Sequence, residues 1–143
     1  MAGLLLVGCI GDDGGFVSVD GALTGDQQDD IEQFLGTTLP ASVVSEQTSA
    51  EFIAGMDDAV RLRVTMAEED VAPFLQAVGS DEALRDGFHG VAPTGHPDTD
   101  WFQTGELTTF SGASSQSGDR AVHVTVDQAD SATPTVYLFV FEL

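Results

Sequence analysis

The chain has 143 residues, a hydrophobic content of 42% and a formal net charge of −20. Its length suits one domain, and its apolar content is too high for a polar chain that stays unfolded. Asp and Glu together number 24, against four Arg and no Lys. This balance excludes the basic patch that direct nucleic acid binding requires.

The acidity indicates a cationic partner, either a basic protein or peptide or a divalent cation. Such a charge also keeps a protein soluble in salty or crowded surroundings, and halophilic adaptation or GC-rich coding produces Lys-free acidic chains as well. Composition alone leaves these readings open.

The first residues predict a lipid anchor. Residues 6–9 read Leu-Val-Gly-Cys and resemble a bacterial lipobox, in which the cysteine receives diacylglycerol and becomes the mature N-terminus. The polar, Gly-rich residues after Cys9 suit a flexible tether. We therefore assign residues 1–26 to a truncated signal, lipobox and acidic Gly-rich tether, and residues 27–143 to a single domain.

This segment departs from a complete secretory signal, because no Lys or Arg precedes Cys9. Its apolar run, Ala2 to Val7, is also shorter than the roughly 7–15 residues expected. Either the start codon lies upstream or the match is accidental. In the second case Leu4 to Ile10 is a buried strand that turns into a strand from Phe16 to Val19.

The first half of the domain predicts one helix and two strands. Thr24 to Leu35 has acidic residues in its first half and an apolar face, and Gly36 ends it, as in a helix. Ser42 to Thr48 predicts a strand. In Ala59 to Met66 apolar residues alternate with polar ones, which indicates a half-buried strand.

The central part predicts two helices and an irregular stretch. Thr65 and Glu68 form a capping box for a helix that ends at Gly79, although Pro73 should bend or break it. Ser80 begins a second short helix that ends near Phe88. A Gly- and Pro-rich stretch follows, which Trp101 and Phe102 attach to the core.

The last part predicts strands, which are Leu107 to Phe110, Arg120 to Val126 and Thr135 to Phe141. The final strand is apolar on both faces and therefore belongs in the middle of the sheet. Ser111 to Asp119 is rich in Ser and Gly and predicts a mobile surface loop.

These elements predict a single α+β domain. We expect an antiparallel or mixed sheet of about four to five strands, with two to three helices packed mainly on one face.

A loose set of motifs extends from residue 39 to residue 143. Its members are Leu39 with Pro40, the Arg-flanked strand leading to Phe74 and Leu75, Trp101 with Phe102, and the hairpin through Thr135, Val136 and Tyr137. Together they resemble uncharacterised small lipoproteins of high-GC Gram-positive bacteria, several of which have a second Trp at the position of Phe102. The resemblance implies a lipid anchor and no established activity.

The sequence has none of the minimal motifs of nucleophilic, phosphoryl-transfer or zinc-hydrolase chemistry, so we predict no enzyme and no cofactor. His89, His96, Asp98 and Asp100 form a weak candidate metal site, since imidazoles and carboxylates bind divalent metals. Their spacing matches no established ligand pattern.

Two functional hypotheses follow. The first is an extracytoplasmic binding or structural module of unknown ligand, held at the cell membrane by lipid on Cys9. The second is a cytoplasmic acidic inhibitor, either an immunity-type protein or a mimic of nucleic acid, that binds a basic partner.

Overall fold

A computed structural model describes residues 16–21, 23–53, 58–91 and 100–142. The strands are β1 (Phe16–Asp20), β2 (Ser49–Ile53), β3 (Ala59–Thr65), β4 (Arg85–Asp86), β5 (Phe110–Ser117), β6 (Arg120–Asp127) and β7 (Thr135–Glu142). The helices are α1 (Gly25–Leu35) and α2 (Glu68–Val78), and short 3-10 turns span Ser45–Gln47 and Asp100–Phe102.

The seven strands form one antiparallel sheet in the order β1-β2-β3-β7-β6-β5-β4. The fold is therefore α+β, as predicted, but the expected four to five strands were too few. As predicted, β7 occupies the middle of the sheet, between β3 and β6. Its residues on one face join the main apolar cluster, and on the other face Tyr137 is buried and Phe139 partly buried in a second apolar cluster.

The main core lies between one face of the sheet and the two helices. Val60, Leu62 and Val64 alternate along β3 with no exposed surface, and Leu138 does the same on β7. The helices contribute the apolar residues Ile31, Leu35, Val71, Phe74, Leu75 and Val78 to the same cluster. We call this side of the sheet the helix-covered face and the opposite side the helix-free face.

The two helices begin in different ways. Thr24 caps α1 by accepting a hydrogen bond from the Gln27 amide, while the Gln27 side chain accepts one from the Thr24 amide. By contrast, α2 has Ala67 at its N-cap and no side-chain cap. The predicted capping box was wrong, because the Thr65 hydroxyl lies 3.0 Å from that of Thr135 on β7 instead.

The proline in α2 does not interrupt the helix. Pro73 and Glu69, whose carbonyl loses its helical partner, are both exposed. Water can therefore satisfy that carbonyl, while the apolar side of α2 stays packed on the sheet.

Four sequence-based elements were wrong. The predicted strand Leu107 to Phe110 is irregular up to residue 109, and only Phe110 belongs to a strand, as the first residue of β5. The predicted strand Ser42 to Thr48 is a turn followed by a 3-10 turn, and β2 begins only at Ser49. The predicted helix from Ser80 to Phe88 holds the two-residue strand β4. The predicted loop Ser111 to Asp119 is mostly β5, joined to β6 through Gly118 with a φ of 62°.

Small residues in β5 let another segment cross the helix-free face. Gly112 and Gly90 approach so closely that a Cβ added at Gly112 would lie 2.7 Å from the Gly90 nitrogen. A Cβ added at Gly90 would overlap the carbonyl oxygens of Val124 and Ala113. Gly112 is therefore required by a close backbone contact within the sheet.

Part of the segment assigned to the tether, residues 1–26, belongs to the folded sheet as strand β1. β1 pairs with β2 along its whole length, from Phe16 opposite Ile53 to Asp20 opposite Ser49. The Phe16 to Val19 strand considered in the sequence is thus present as β1. Cys9 and the lipobox lie outside the described residues.

Candidate functional site

A row of side chains crosses six strands on the helix-free face. Strand register places the following residues side by side, in order from β1 to β5: Ser18, Glu51, Arg61, Phe139, His123 and Ser114. We call this set the transverse row. It combines a carboxylate, a guanidinium, an aromatic ring and an imidazole, and is the main polar feature of this face.

At one end of the row, Glu51 and Arg61 form an ion pair between Arg61 Nη1 and Glu51 Oε1. The Glu51 side chain is 0% exposed, and its other oxygen, Oε2, has no hydrogen-bond partner among the described residues. The Arg61 guanidinium also lies 4.5 Å from the centre of the Phe139 ring. This buried carboxylate depends on a single cation, so the pair is a structural feature with a high cost of separation.

At the other end, His123 stacks on two aromatic rings, with centroid distances of 5.6 Å to Phe141 and 6.3 Å to Phe139. Its Nδ1 lies 2.9 Å from the hydroxyl oxygen of Ser114. Burial lowers the pKa of His123 below its ordinary value of 6.5, and a hydrogen bond with the Gly90 backbone opposes this effect. The imidazole is therefore neutral at neutral pH and acts as a stacked aromatic group.

A second arginine connects three strands to the 100–102 turn. Arg63 Nη2 lies 3.3 Å from Asp20 Oδ1 and 3.1 Å from Ser49 Oγ, and Nη1 donates to the Trp101 carbonyl at 3.3 Å. Beside it, the apolar residues Val91, Trp101, Phe102 and Tyr137 form a small second core. The predicted attachment through Trp101 and Phe102 is thus confirmed, on the helix-free face.

The remaining arginines are also engaged by their own chain. Arg120 donates to the carbonyls of Leu35 and Phe34 at 3.0 and 2.6 Å, where α1 ends. Arg85 lies 4.0 Å from the centre of the Phe88 ring. All four arginines therefore have partners within the chain, and Arg61 and Arg63 form ion pairs with the carboxylates of Glu51 and Asp20.

Of the candidate metal ligands, the structure gives a side-chain environment only for His89. Its ring packs against Phe110 with centroids 4.3 Å apart, and its Nδ1 lies 3.4 Å from the Thr104 hydroxyl oxygen. His96 and Asp98 lie outside the described residues, as does the side chain of Asp100. Within the described part of the chain, no three His, Cys, Asp or Glu residues gather as metal ligands would.

A groove runs beside α2 on the helix-covered side of the molecule. Its central cavity has a volume of 390 Å³ and lies between α2 and the chain from Ser80 to Leu84. A cavity of 210 Å³ adjoins it through Ala72 and Leu84. A cavity of 360 Å³ adjoins it through Glu82 and Ala83 and extends past β5 to Ser114, towards the helix-free face. We call this continuous surface the α2 groove.

Sequence reasoning missed both the transverse row and the α2 groove. Glu51 was not assigned to a strand, so its pairing with Arg61 could not be inferred. One signal for the ion pair was available in the sequence, because Arg61 and Arg63 occupy one side of an alternating strand. An arginine that becomes buried on that side requires a charged or hydrogen-bonding partner.

No family model, curated protein or solved structure matches this chain. Neither described helix has the length and apolar character that crossing a bilayer requires.

Proposed function

We propose that the protein is a non-enzymatic binding module outside the cell, held at the membrane by lipid on Cys9, and that its partner is cationic. The supporting observation is the disposition of the arginines. Each of the four is engaged by its own chain, Arg61 with Glu51 and Arg63 with Asp20 among them, and they face 24 Asp and Glu residues. Most of the acidic groups therefore project an uncompensated negative field that attracts cations over a distance.

The chemistry of the described residues fits binding better than catalysis. The groups with the strongest constraints, Glu51, Arg61 and His123, satisfy one another or stack on phenylalanine rings. A general acid or base must reach a substrate proton at hydrogen-bond distance. A carboxylate buried beneath its own ion pair is better suited to holding the sheet together.

The lipid anchor is tested in the native host, with the gene expressed from its own locus. Cells are labelled with a palmitate analogue and fractionated, comparing the wild type with Cys9→Ala and with Thr38→Ala, an exposed control position. We expect label and membrane association in the wild type and the control, and neither in Cys9→Ala. Unlabelled wild-type protein in the cytoplasmic fraction would favour the cytoplasmic acidic inhibitor instead.

The cationic partner is tested by capture from native lysate at low and high ionic strength. Surface charges separated by more than about 10 Å are largely screened at 0.1 M salt, so a basic partner should be retained at low salt and released at high salt. If the captured proteins are not enriched in basic chains, the charge-based part of the proposal is wrong.

A further inference from the structure

We propose that the α2 groove is the docking site for a basic, partly apolar peptide segment of the partner. This inference rests on the proposed function and specifies its site. The occupant would place apolar side chains on the floor of the groove and Lys or Arg side chains along its rim. Three features of the groove support this: its floor, its rim and one buried hydroxyl.

The floor of the groove is apolar. Leu75 and Val126 are buried, Leu84 is half-buried, and the exposed Ala72 and Ala83 leave space above them. The central volume of 390 Å³ falls within the roughly 300–1,000 Å³ typical of ligand pockets. Such a surface gains free energy when it covers apolar side chains of a partner.

The rim of the groove is acidic. Glu68, Asp81 and Glu82 line its cavities and are exposed, so their carboxylates are available to a partner. The one arginine in its lining, Arg85, lies at the far end with its guanidinium over the Phe88 ring. The rim therefore complements positive charge, which favours a basic segment over a neutral or acidic one.

A buried hydroxyl provides a hydrogen-bonding group without a partner. Ser80 lines the central cavity with 6% of its surface exposed, and its Oγ forms no hydrogen bond with any described residue. An unsatisfied polar atom is unfavourable when buried, and a bound peptide backbone would supply the missing donor or acceptor.

The chemistry of the groove favours a peptide over a metal ion. A divalent cation requires several oxygen ligands gathered around one point, whereas the described part of the chain contains no group of three acidic, His or Cys residues arranged in this way. Carboxylates spread along an apolar groove instead match a segment in which basic and apolar residues alternate.

The test uses a short fluorescein-labelled peptide of alternating leucine and lysine, with binding followed by fluorescence anisotropy. A matched peptide with serine in place of leucine carries the same charge but no apolar side chains. We expect the leucine peptide to bind about tenfold more tightly, because only its side chains cover the apolar floor. If neither peptide binds at low salt, this inference is wrong, whereas the proposed function is decided separately by the lipid labelling and by the capture of a basic partner.

Variants then place the site on the molecule. The groove variant Asp81→Asn with Glu82→Gln should weaken binding about fivefold. The control Asp29→Asn with Asp30→Asn removes the same charge from exposed positions on α1 that do not line the groove, and should change binding less than about twofold. An equal loss in both variants would show a general attraction and refute the groove while leaving the proposed function intact.

Ser80→Ala adds a measurement that a purely structural role would not affect. Removing an unsatisfied hydroxyl should leave the melting temperature unchanged or raised, while peptide affinity falls about threefold. Unchanged affinity for the leucine peptide would show that the hydroxyl does not contact the ligand and would remove one of the three supports of the inference. Unchanged affinity in both the Ser80 and the groove variants would overturn the inference.

Discussion

On the helix-covered face, Leu62, Val124 and Leu138 are wholly buried beneath α1 and α2, whereas on the helix-free face the wholly buried side chains include Glu51 and Thr125. The first face is stabilised by apolar burial, which has no preferred direction. The second depends on ion pairs, hydrogen bonds and close backbone contacts between particular partners. We therefore expect the helix-free face to respond more sharply to the removal of a single group.

The largest effect is expected at Gly90, where the chain packs closely against Gly112 of β5. Gly90→Ala should destabilise the protein by more than about 3 kcal/mol, because its Cβ would overlap the carbonyl oxygens of Val124 and Ala113 and the backbone would have to move. Gly25→Ala is the control, since no atom lies within 4 Å of its added Cβ. Urea denaturation should show Gly25→Ala as stable as the wild type or slightly more stable, and similar values for the two variants would refute the close approach.

The next effect concerns the buried ion pair. Arg61→Met should cost about 2–3 kcal/mol, because it leaves the carboxylate of Glu51 buried without its cation. This is below the usual cost of breaking a buried pair because Arg61 is itself partly exposed and water can approach in its place. The double variant Arg61→Met with Glu51→Gln should recover much of this loss. A double-mutant cycle in urea measures the coupling, and additive effects of the two substitutions would show that the pair does not stabilise the fold.

Arg120 tests the helix-covered face in the same way. Arg120→Gln removes charged hydrogen bonds to the Phe34 and Leu35 carbonyls at the end of α1, so we expect a loss of about 1–2 kcal/mol. The loss should be smaller than for Arg61→Met, because no buried charge is left behind. Thermal denaturation of the two variants under the same conditions makes the comparison, and a larger loss for Arg120→Gln would reverse it.

The smallest effect is the pH dependence from His123. Because burial lowers its pKa below 6.5, the unfolded chain binds this proton more readily than the folded one. The stabilising contribution of His123 is thus fully present above pH 6.5 and declines as pH falls through 6.5 towards the lower folded value.

The comparison with His123→Gln isolates this contribution, since both proteins share every carboxylate. The difference in unfolding free energy between the wild type and the variant should fall as pH decreases from about 8 to 5. A difference that stays constant over this range would show that the folded and unfolded pKa values are the same.

Local patterns predicted the elements that depend on neighbouring residues. The alternation in β3 and β6, the two apolar faces of β7 and the limits of α1 at Thr24 and Gly36 all appear in the structure. These features follow from the periods of helix and strand and from capping chemistry, which a single sequence reports directly.

The elements that sequence reasoning missed depend on distant partners. β5 is predicted as a loop because its Ser and Gly residues have low strand propensity, yet its pairing with β6 and its close contact with Gly90 hold it in the sheet. Likewise, β2 and β4 are too short to show a period of their own, and their neighbours define them. The candidate sites were missed for the same reason, since their residues come from separate strands and turns.

Composition and periodicity by themselves determined an acidic α+β domain with a large apolar core, because charge and burial preferences are properties of each residue and its near neighbours. Tertiary structure alone decided that all four arginines are engaged by their own chain, that Glu51 is buried beside Arg61, and that an acidic groove borders α2. Those features arise from strand register and close packing, which join residues far apart in the chain.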